Sequence, residues 1–247
     1  MDAGWRRSFT DAEIRCIAAD IDRQGYGALA GYVAEDELKP LRDIAAEAVR
    51  EVHGEYAHFT GLESLAGTVL AELPRSAFFK DLCRHLYELA TARSAPPVEL
   101  YSIFRCLQGV TGQRHSNRFH YDSYVVTALL PVAIPQEGAH GDLVLIPHTR
   151  RIRRLYLANL LDKILVDNRA GQLALRSAAR RRKLNTVAVR LQPGTLYVFW
   201  GYRSLHTNEA CDIDKLRATA LYHYGDPHQN SRARALIRGL RRMAPVG

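Results

Sequence analysis

Beyond Pro96-Pro97 the chain is built from apolar runs broken by turn residues, at 98–107, 119–134, 142–147, 186–191, 195–200 and 217–224. Runs of that length, rich in β-branched and aromatic residues and bounded by Gly, Pro, Asn or Asp, are the signature of strands. Many short strands in succession bury their apolar faces by stacking sheet on sheet, so a double-sheet jelly roll is expected. The interruption at 150–185 breaks that rhythm. Its Leu157, Leu160, Leu161, Ile164 and Leu165 recur at three and four, which predicts a helical insertion that covers the mouth of the sheets.

The first 95 residues read as a helical scaffold. Thr10 or Asp11 caps a helix carrying Ile14, Ile17, Ala18 and Ile21, and Gly25-Tyr-Gly27 ends it. A short strand over 28–33 precedes a helix from Glu35 to Val52, and Pro74 separates two more, Leu62 to Leu73 and Ala77 to Ala92. The predicted class is α+β: a double-stranded β-helix core over 96–226, N-terminal helices over 1–95 packed on one sheet, the insertion at 150–185, and a basic helix over 227–247, all within a single domain 1–247.

Composition excludes several classes. At 47% hydrophobic and 24% charged residues the chain is neither disordered nor, lacking any run of roughly 18 apolar residues, membrane-spanning. No apolar segment follows Met1, so a cytoplasmic location is expected. Cys16, Cys83, Cys106 and Cys211 form no C-x-x-C pair, against a zinc knuckle or a redox pair. The net charge of +8 favours anionic partners, and its arginines gather at 150–154, 180–183 and 232–242.

The chemistry concentrates in Asn117 to Thr127, where His120 and Asp122 sit two apart and share a face if the segment is extended. Joined by a third ligand from far down the chain, they would make the set of two histidines and one carboxylate that holds non-haem Fe(II) with positions left open. His206 is the candidate third ligand; its alternative is a histidine that only satisfies a backbone carbonyl. His140 and Asp142 repeat the spacing and compete for the site. Arg217 opens the last strand with Thr219 on the same face, and its forked donors match a carboxylate, unless Asp212 or Asp214 takes them in a salt bridge.

The order H-x-D, distant His, then Arg resembles the Fe(II)/2-oxoglutarate-dependent oxygenases. Asp22-Arg-Gln-Gly-Tyr, a small apolar strand and Ala34-Glu-Asp-Glu-Leu resemble the N-terminus of the phytanoyl-CoA dioxygenase-like branch. Gly141-Asp-Leu-Val-Leu-Ile-Pro-His-Thr-Arg150 resembles that family's G-x-L-x-x-x-P-G-S-H segment, with His148-Thr149 for Gly-Ser, which gives 140–149 a different role and favours His120 and Asp122 as ligands. Gln192 to His206 resembles the P-G-D-L-x-x-F…H-x-x-x-x-N segment, with Thr195 for the acidic residue.

The resemblance implies a cupin-like jelly roll with Fe(II) on His120, Asp122 and His206, and 2-oxoglutarate gripped at its distal carboxylate by Arg217 and Thr219. O2 is the further co-substrate, with ascorbate an optional addition in vitro. The product would be a hydroxylated C–H bond, or a desaturation or cyclisation, with succinate and CO2 released. Asp122 stands where halide-installing relatives carry Gly or Ala, against halogenation. Arg105, Thr127 and Arg114 are candidates for the keto acid end. Tyr101, Tyr121 and Trp200, with Phe104 and Phe119, are candidate pocket aromatics, and Arg114 and Arg150 candidate contacts to a small or medium-sized anionic substrate. Two other readings compete: a cupin-like metalloenzyme that uses no 2-oxoglutarate, and a non-catalytic β-barrel module that binds a polyanion. Nucleic acid is not expected, since no RRM or zinc-finger motif is present.

Overall fold

The computed structural model describes residues 4–180 and 184–243; Arg181, Arg182 and Lys183 of the basic run lie outside the described residues. A capping box starts the first helix: Thr10 Oγ1 accepts from Glu13 N and Glu13 accepts from Thr10 N. That helix, α1 (Asp11–Gln24), stops where Gly25 turns left-handed, and β1 (Gly27–Leu29) is shorter than expected because Gly31, at φ 63°, turns the chain away. α2 (Glu35–Glu51) buries Leu38, Leu41, Ala45 and Val49. β2 (Ala57–Thr60) has no apolar signal in the sequence. The helix expected over 62–73 is not continuous: Gly67, at φ 83°, interrupts it and leaves only α3 (Val69–Glu72) between two 3-10 turns. α4 (Ala77–Thr91) completes the scaffold.

The remaining elements are β3 (Tyr101–Leu107), α5 (Gly109–Arg114), β4 (Val126–Ala133), β5 (Leu143–Ile146), α6 (Tyr156–Asp167), α7 (Arg169–Arg180), β6 (Val187–Val189), β7 (Leu196–Phe199), β8 (Leu205–Asn208), β9 (Arg217–Tyr224) and α8 (Arg232–Met243). They form two antiparallel sheets, β1-β7-β4-β9-β3-β2 and β6-β5-β8. Strand alternation gives the large sheet two apolar faces. Val126, Ala128, Leu130 and Tyr222 pack with Ile21, Leu41 and Leu86 of the helices. Leu129, Tyr197 and Phe199 meet Leu143, Leu145 and Val189 of the small sheet.

Two segments depart from the expected strands, and both departures build the site. The run 119–134 is a strand only over Val126–Ala133; its first part leaves the large sheet, and His120 bridges to His206 of β8 in the small one. The strand leading to His206 likewise ends at Phe199, and the chain changes sheets through 200–204 before β8. β8 itself, short and polar, has no strand signature in the sequence.

Phe79 is fully buried where α4 meets the large sheet, its ring edge-on to Tyr222 at 5.2 Å. Phe79→Ala is expected to cost about 3–5 kcal/mol of stability by urea denaturation. A loss below about 1 kcal/mol would show that this layer is not packed as described.

Candidate metal centre

His120 and His206 are directly opposed across an antiparallel bridge and exchange both backbone bonds, His120 N to His206 O at 3.0 Å and His206 N to His120 O at 3.1 Å. Opposed residues project to the same side, and the two rings lie 4.3 Å apart between centroids. Two residues on, Asp122 N donates to Gly201 O at 3.0 Å, which ties the carboxylate to the turn between β7 and β8. The shared face expected of His120 and Asp122 is thus achieved at a crossing between sheets. One atom from each of His120, Asp122 and His206 lies within 4.8 Å of the others, the single such grouping among the described residues.

The donors are prepared for a cation. His120 Nδ1 lies 3.0 Å from Arg118 O and His206 Nδ1 lies 3.1 Å from Ser204 O. A carbonyl only accepts, so each Nδ1 carries a proton and Nε2 is the ring atom left for a metal; burial pushes His120 down to about 4, whereas burial lowers His206 less than the Asp122 carboxylate raises it. Those Nε2 atoms face Asp122, at 3.8 Å from Oδ1 and 3.4 Å from Oδ2. Burial would raise the Asp122 carboxyl, but His206 and His223 beside it hold it well below the usual range, so it stands ionised. Two imidazole Nε2 atoms turned toward one carboxylate fit a divalent transition metal, which would displace the proton that Asp122 favours on His206.

Thr127 has a different place from the one expected. Its hydroxyl donates to Asp122 Oδ2 at 2.5 Å and accepts from His223 Nδ1 at 3.1 Å, so it orients the carboxylate and has no free donor for a co-substrate. His223, buried on β9, is a site residue that the sequence reading missed. It lies 3.6 Å from Asp122 Oδ2, and its ring stacks with Tyr124 at 5.2 Å and with half-exposed Tyr101 at 5.9 Å, at the rim. The signal available was its spacing: 217, 219, 221 and 223 alternate onto one face of β9.

Arg217 lies further along that face, 2% exposed. Its Nε donates to Gly141 O at 2.8 Å and its Nη1 to Thr219 Oγ1 at 3.3 Å. Gly141, at φ 73°, is needed there, because a Cβ would run into Arg217 Cδ. The salt bridge to Asp212 or Asp214 does not form, and no carboxylate among the described residues is ion-paired with this guanidinium. Burial and then the nearby charge of Arg105 push Arg217 down to about 10. Arg105 sits opposite Thr219 in the β3–β9 register, its guanidinium 5.7 Å above the Tyr56 ring. Arg217, Thr219 and Arg105 therefore form a cationic end to the same face that carries His223.

The remaining candidates are structural. Arg150 is buried between Tyr121 and Tyr202, 3.8 and 4.0 Å from their ring centres, and its Nε and Nη1 donate to Tyr202 O, Asn159 and Asp162, which pins α6 to the sheets, while its Nη2 is buried without a partner. Tyr121 forms the other half of that clamp and packs with Phe119. Trp200 is 1% exposed and donates to Asp22 at 2.8 Å, so it is core. Phe104 belongs to the core on the helical side of the large sheet, and Arg114 is exposed at the end of α5 near Glu55. His140 turns away from the cluster to Pro135 O at 2.8 Å.

The insertion contributes support that the sequence did not show. Gln172 of α7 accepts from Phe119 N at 3.0 Å and donates to Phe119 O at 2.6 Å, acting as a substitute strand edge next to His120. Lys163 of α6 donates to Ser123 Oγ at 2.8 Å, beside Asp122.

Gly201 leaves no room for a side chain: a Cβ there would collide with Thr127 Oγ1 and Asp122 Oδ2. Gly201→Ala is expected to fold yet bind Fe(II) about 10–100-fold more weakly in anaerobic chelator competition. Unchanged affinity would mean that this packing does not set the carboxylate.

No family model and no curated protein matches the chain, so the phytanoyl-CoA dioxygenase-like branch stays an expectation of the sequence. Solved structures do match. The non-heme α-ketoglutarate-dependent epimerase SnoN from nogalamycin biosynthesis, also solved in complex with Fe3+ and α-ketoglutarate, aligns with a TM-score of 0.54 at 16% identity over 88% of this chain and 84% of its own. EctD from S. alaskensis with bound Fe aligns with a TM-score of 0.56 at 17% identity over 91% and 82%. A Pseudomonas putida prolyl-4-hydroxylase gives 0.52 at 12% identity over 85% and 98%. Identities this low establish the architecture alone, and the chain has the fold of the Fe(II)/2-oxoglutarate-dependent oxygenases.

Proposed function

We propose that the protein is a non-haem Fe(II)/2-oxoglutarate-dependent dioxygenase that hydroxylates an unactivated C–H bond of a small or medium-sized, anionic metabolite. The observation that carries this reading is the pairing of the His120, Asp122 and His206 cluster with an unpaired, buried Arg217 on the adjoining strand face. In this reading the two sheets are the halves of a jelly roll within one domain, and the sequence order of the segments suggests the phytanoyl-CoA dioxygenase-like branch. A buried guanidinium with no carboxylate in ion-pair contact is costly, Asp142 acting on it only at longer range, and a dicarboxylic co-substrate would supply a direct partner.

Bound to the three ligands, Fe(II) with 2-oxoglutarate and O2 supplies the oxidising power for C–H cleavage, with succinate and CO2 released. The chain's own residues do the positioning. Arg217 and Thr219 receive the distal carboxylate, and Arg105 adds positive potential beside them. His223 and Thr127 hold Asp122 in one rotamer, and the pinned insertion keeps Lys163 over the mouth and limits water. Tyr101 and Tyr124 line the rim where substrate would enter.

The test is succinate formation from 2-oxoglutarate in air with added Fe(II), which proceeds slowly even without the true substrate. Wild type and His140→Ala should produce succinate, and His120→Ala should not. Arg217→Met should raise the KM for 2-oxoglutarate by about tenfold to a hundredfold, the worth of one to two charge-assisted hydrogen bonds. Failure of the Fe(II)-loaded protein both to turn over and to bind 2-oxoglutarate would contradict the proposal in favour of a cupin-like metalloenzyme of another kind.

A further inference from the structure

Exposure singles out one surface. Among the described residues, every large apolar side chain more than half exposed lies on the insertion or on α8. Leu155, Leu157, Leu161, Ile164 and Leu165 are 54–71% exposed on or just before α6, and Leu173 of α7 and Leu236 of α8 are each 66% exposed. Elsewhere the most exposed such residue is Ile213 at 49%. Positions 157, 161, 164 and 165 fall on one stripe of α6, while Asn159 and Lys163 on another face reach the clamp and the ligand segment. A continuous convex stripe of this kind marks an interaction surface more often than scattered surface leucines do.

Charge is segregated onto the same elements. Residues 150–185 hold eleven Lys and Arg against two Asp, a net +9, and residues 231–247 hold five Arg and no acid, whereas the rest of a chain whose total is +8 is net −6. Both acids of the insertion are occupied, Asp162 by Arg150 and Arg153 and Asp167 facing Arg118 at 3.9 Å. Arg151, Arg154, Arg169, Arg176 and Arg232 are exposed.

The occupant has to accept leucines and cancel positive charge together. A second copy would set the same strongly basic face against itself, since a two-fold contact is self-complementary. Nucleic acid would neutralise the arginines and leave the stripe in water. An acidic bilayer takes both, with apolar side chains at the boundary between headgroups and acyl chains and guanidinium groups on the phosphates. We infer that α6, α7 and α8 form a docking face for an anionic phospholipid bilayer, with the Leu157-Leu161-Ile164-Leu165 stripe as its apolar contact. Docking of this kind needs no spanning segment, and no helix among the described residues is long and apolar enough to cross a membrane. It places the cover of the His-Asp-His cluster at the lipid surface, and it stands independently of the oxygenase reading.

The test is co-sedimentation of the full chain with vesicles of phosphatidylglycerol and phosphatidylcholine in equal parts, with analytical ultracentrifugation of the lipid-free protein alongside. Partitioning should fall at least about tenfold on pure phosphatidylcholine and again at high salt. The double variant Leu161→Glu/Leu165→Glu should lose at least about tenfold in partitioning while keeping the wild-type circular dichroism and Fe(II) affinity. No capture by the anionic vesicles would overturn the inference, as would capture that the double variant leaves unchanged. A lipid-free dimer that the double variant dissociates would overturn it too and give the stripe to a second copy.

Discussion

The backbone bridge between His120 and His206 is the interaction on which the rest of the site depends. Exchanging both hydrogen bonds locks two segments from different parts of the chain in register, and register decides which side chains share a face. A slip of one residue on either side would point one imidazole into the opposite layer. The rest of the molecule keeps this register. The helices cover one face of the large sheet, the two sheets bury the other against each other, and Gln172 closes the open edge at Phe119.

Electrostatics divides the face of β9 that carries His223 and Arg217 into two ends. At one, an ionised Asp122 is balanced by the histidines around it and held by Thr127. At the other, Arg217 is buried with only neutral acceptors, a carbonyl and a hydroxyl. Buried charges persist where a partner repays their desolvation, and His223 links the two ends, sharing the β9 face with Arg217 while lying 3.6 Å from Asp122 Oδ2. Gly141 and Gly201 serve it sterically, each leaving the space that a functional side chain occupies.

The grouping of His120, Asp122 and His206 was legible in the sequence because these residues lie in segments with strong local grammar, an apolar run after Asp122 and a Pro-Gly turn before His206. What failed was the assumption that one apolar run is one strand. The run 119–134 changes sheets before Val126, and β8 was invisible because four half-polar residues carry no periodicity. His148 illustrates a departure made readable by geometry: it adopts φ 57° where the resembled segment has Gly, and its ring is held by Asp22 O. His223 was missed because a lone histidine in an apolar strand looks like core. The surroundings of Arg150 and Trp200 were not legible because burial is a tertiary property, and both bond to partners more than eight residues away. Helical spacing correctly predicted α6 but not its orientation; the leucines that a core would claim face outward, and the inner face is held by polar pins.

The most direct measurement is an anomalous difference map at the iron absorption edge, from crystals grown anaerobically with Fe(II) and 2-oxoglutarate. The structure predicts one peak within bonding distance of His120 Nε2, His206 Nε2 and an Asp122 carboxylate oxygen, with the co-substrate's far carboxylate on Arg217. A peak at His140 and Asp142, or none between the two sheets, would contradict it.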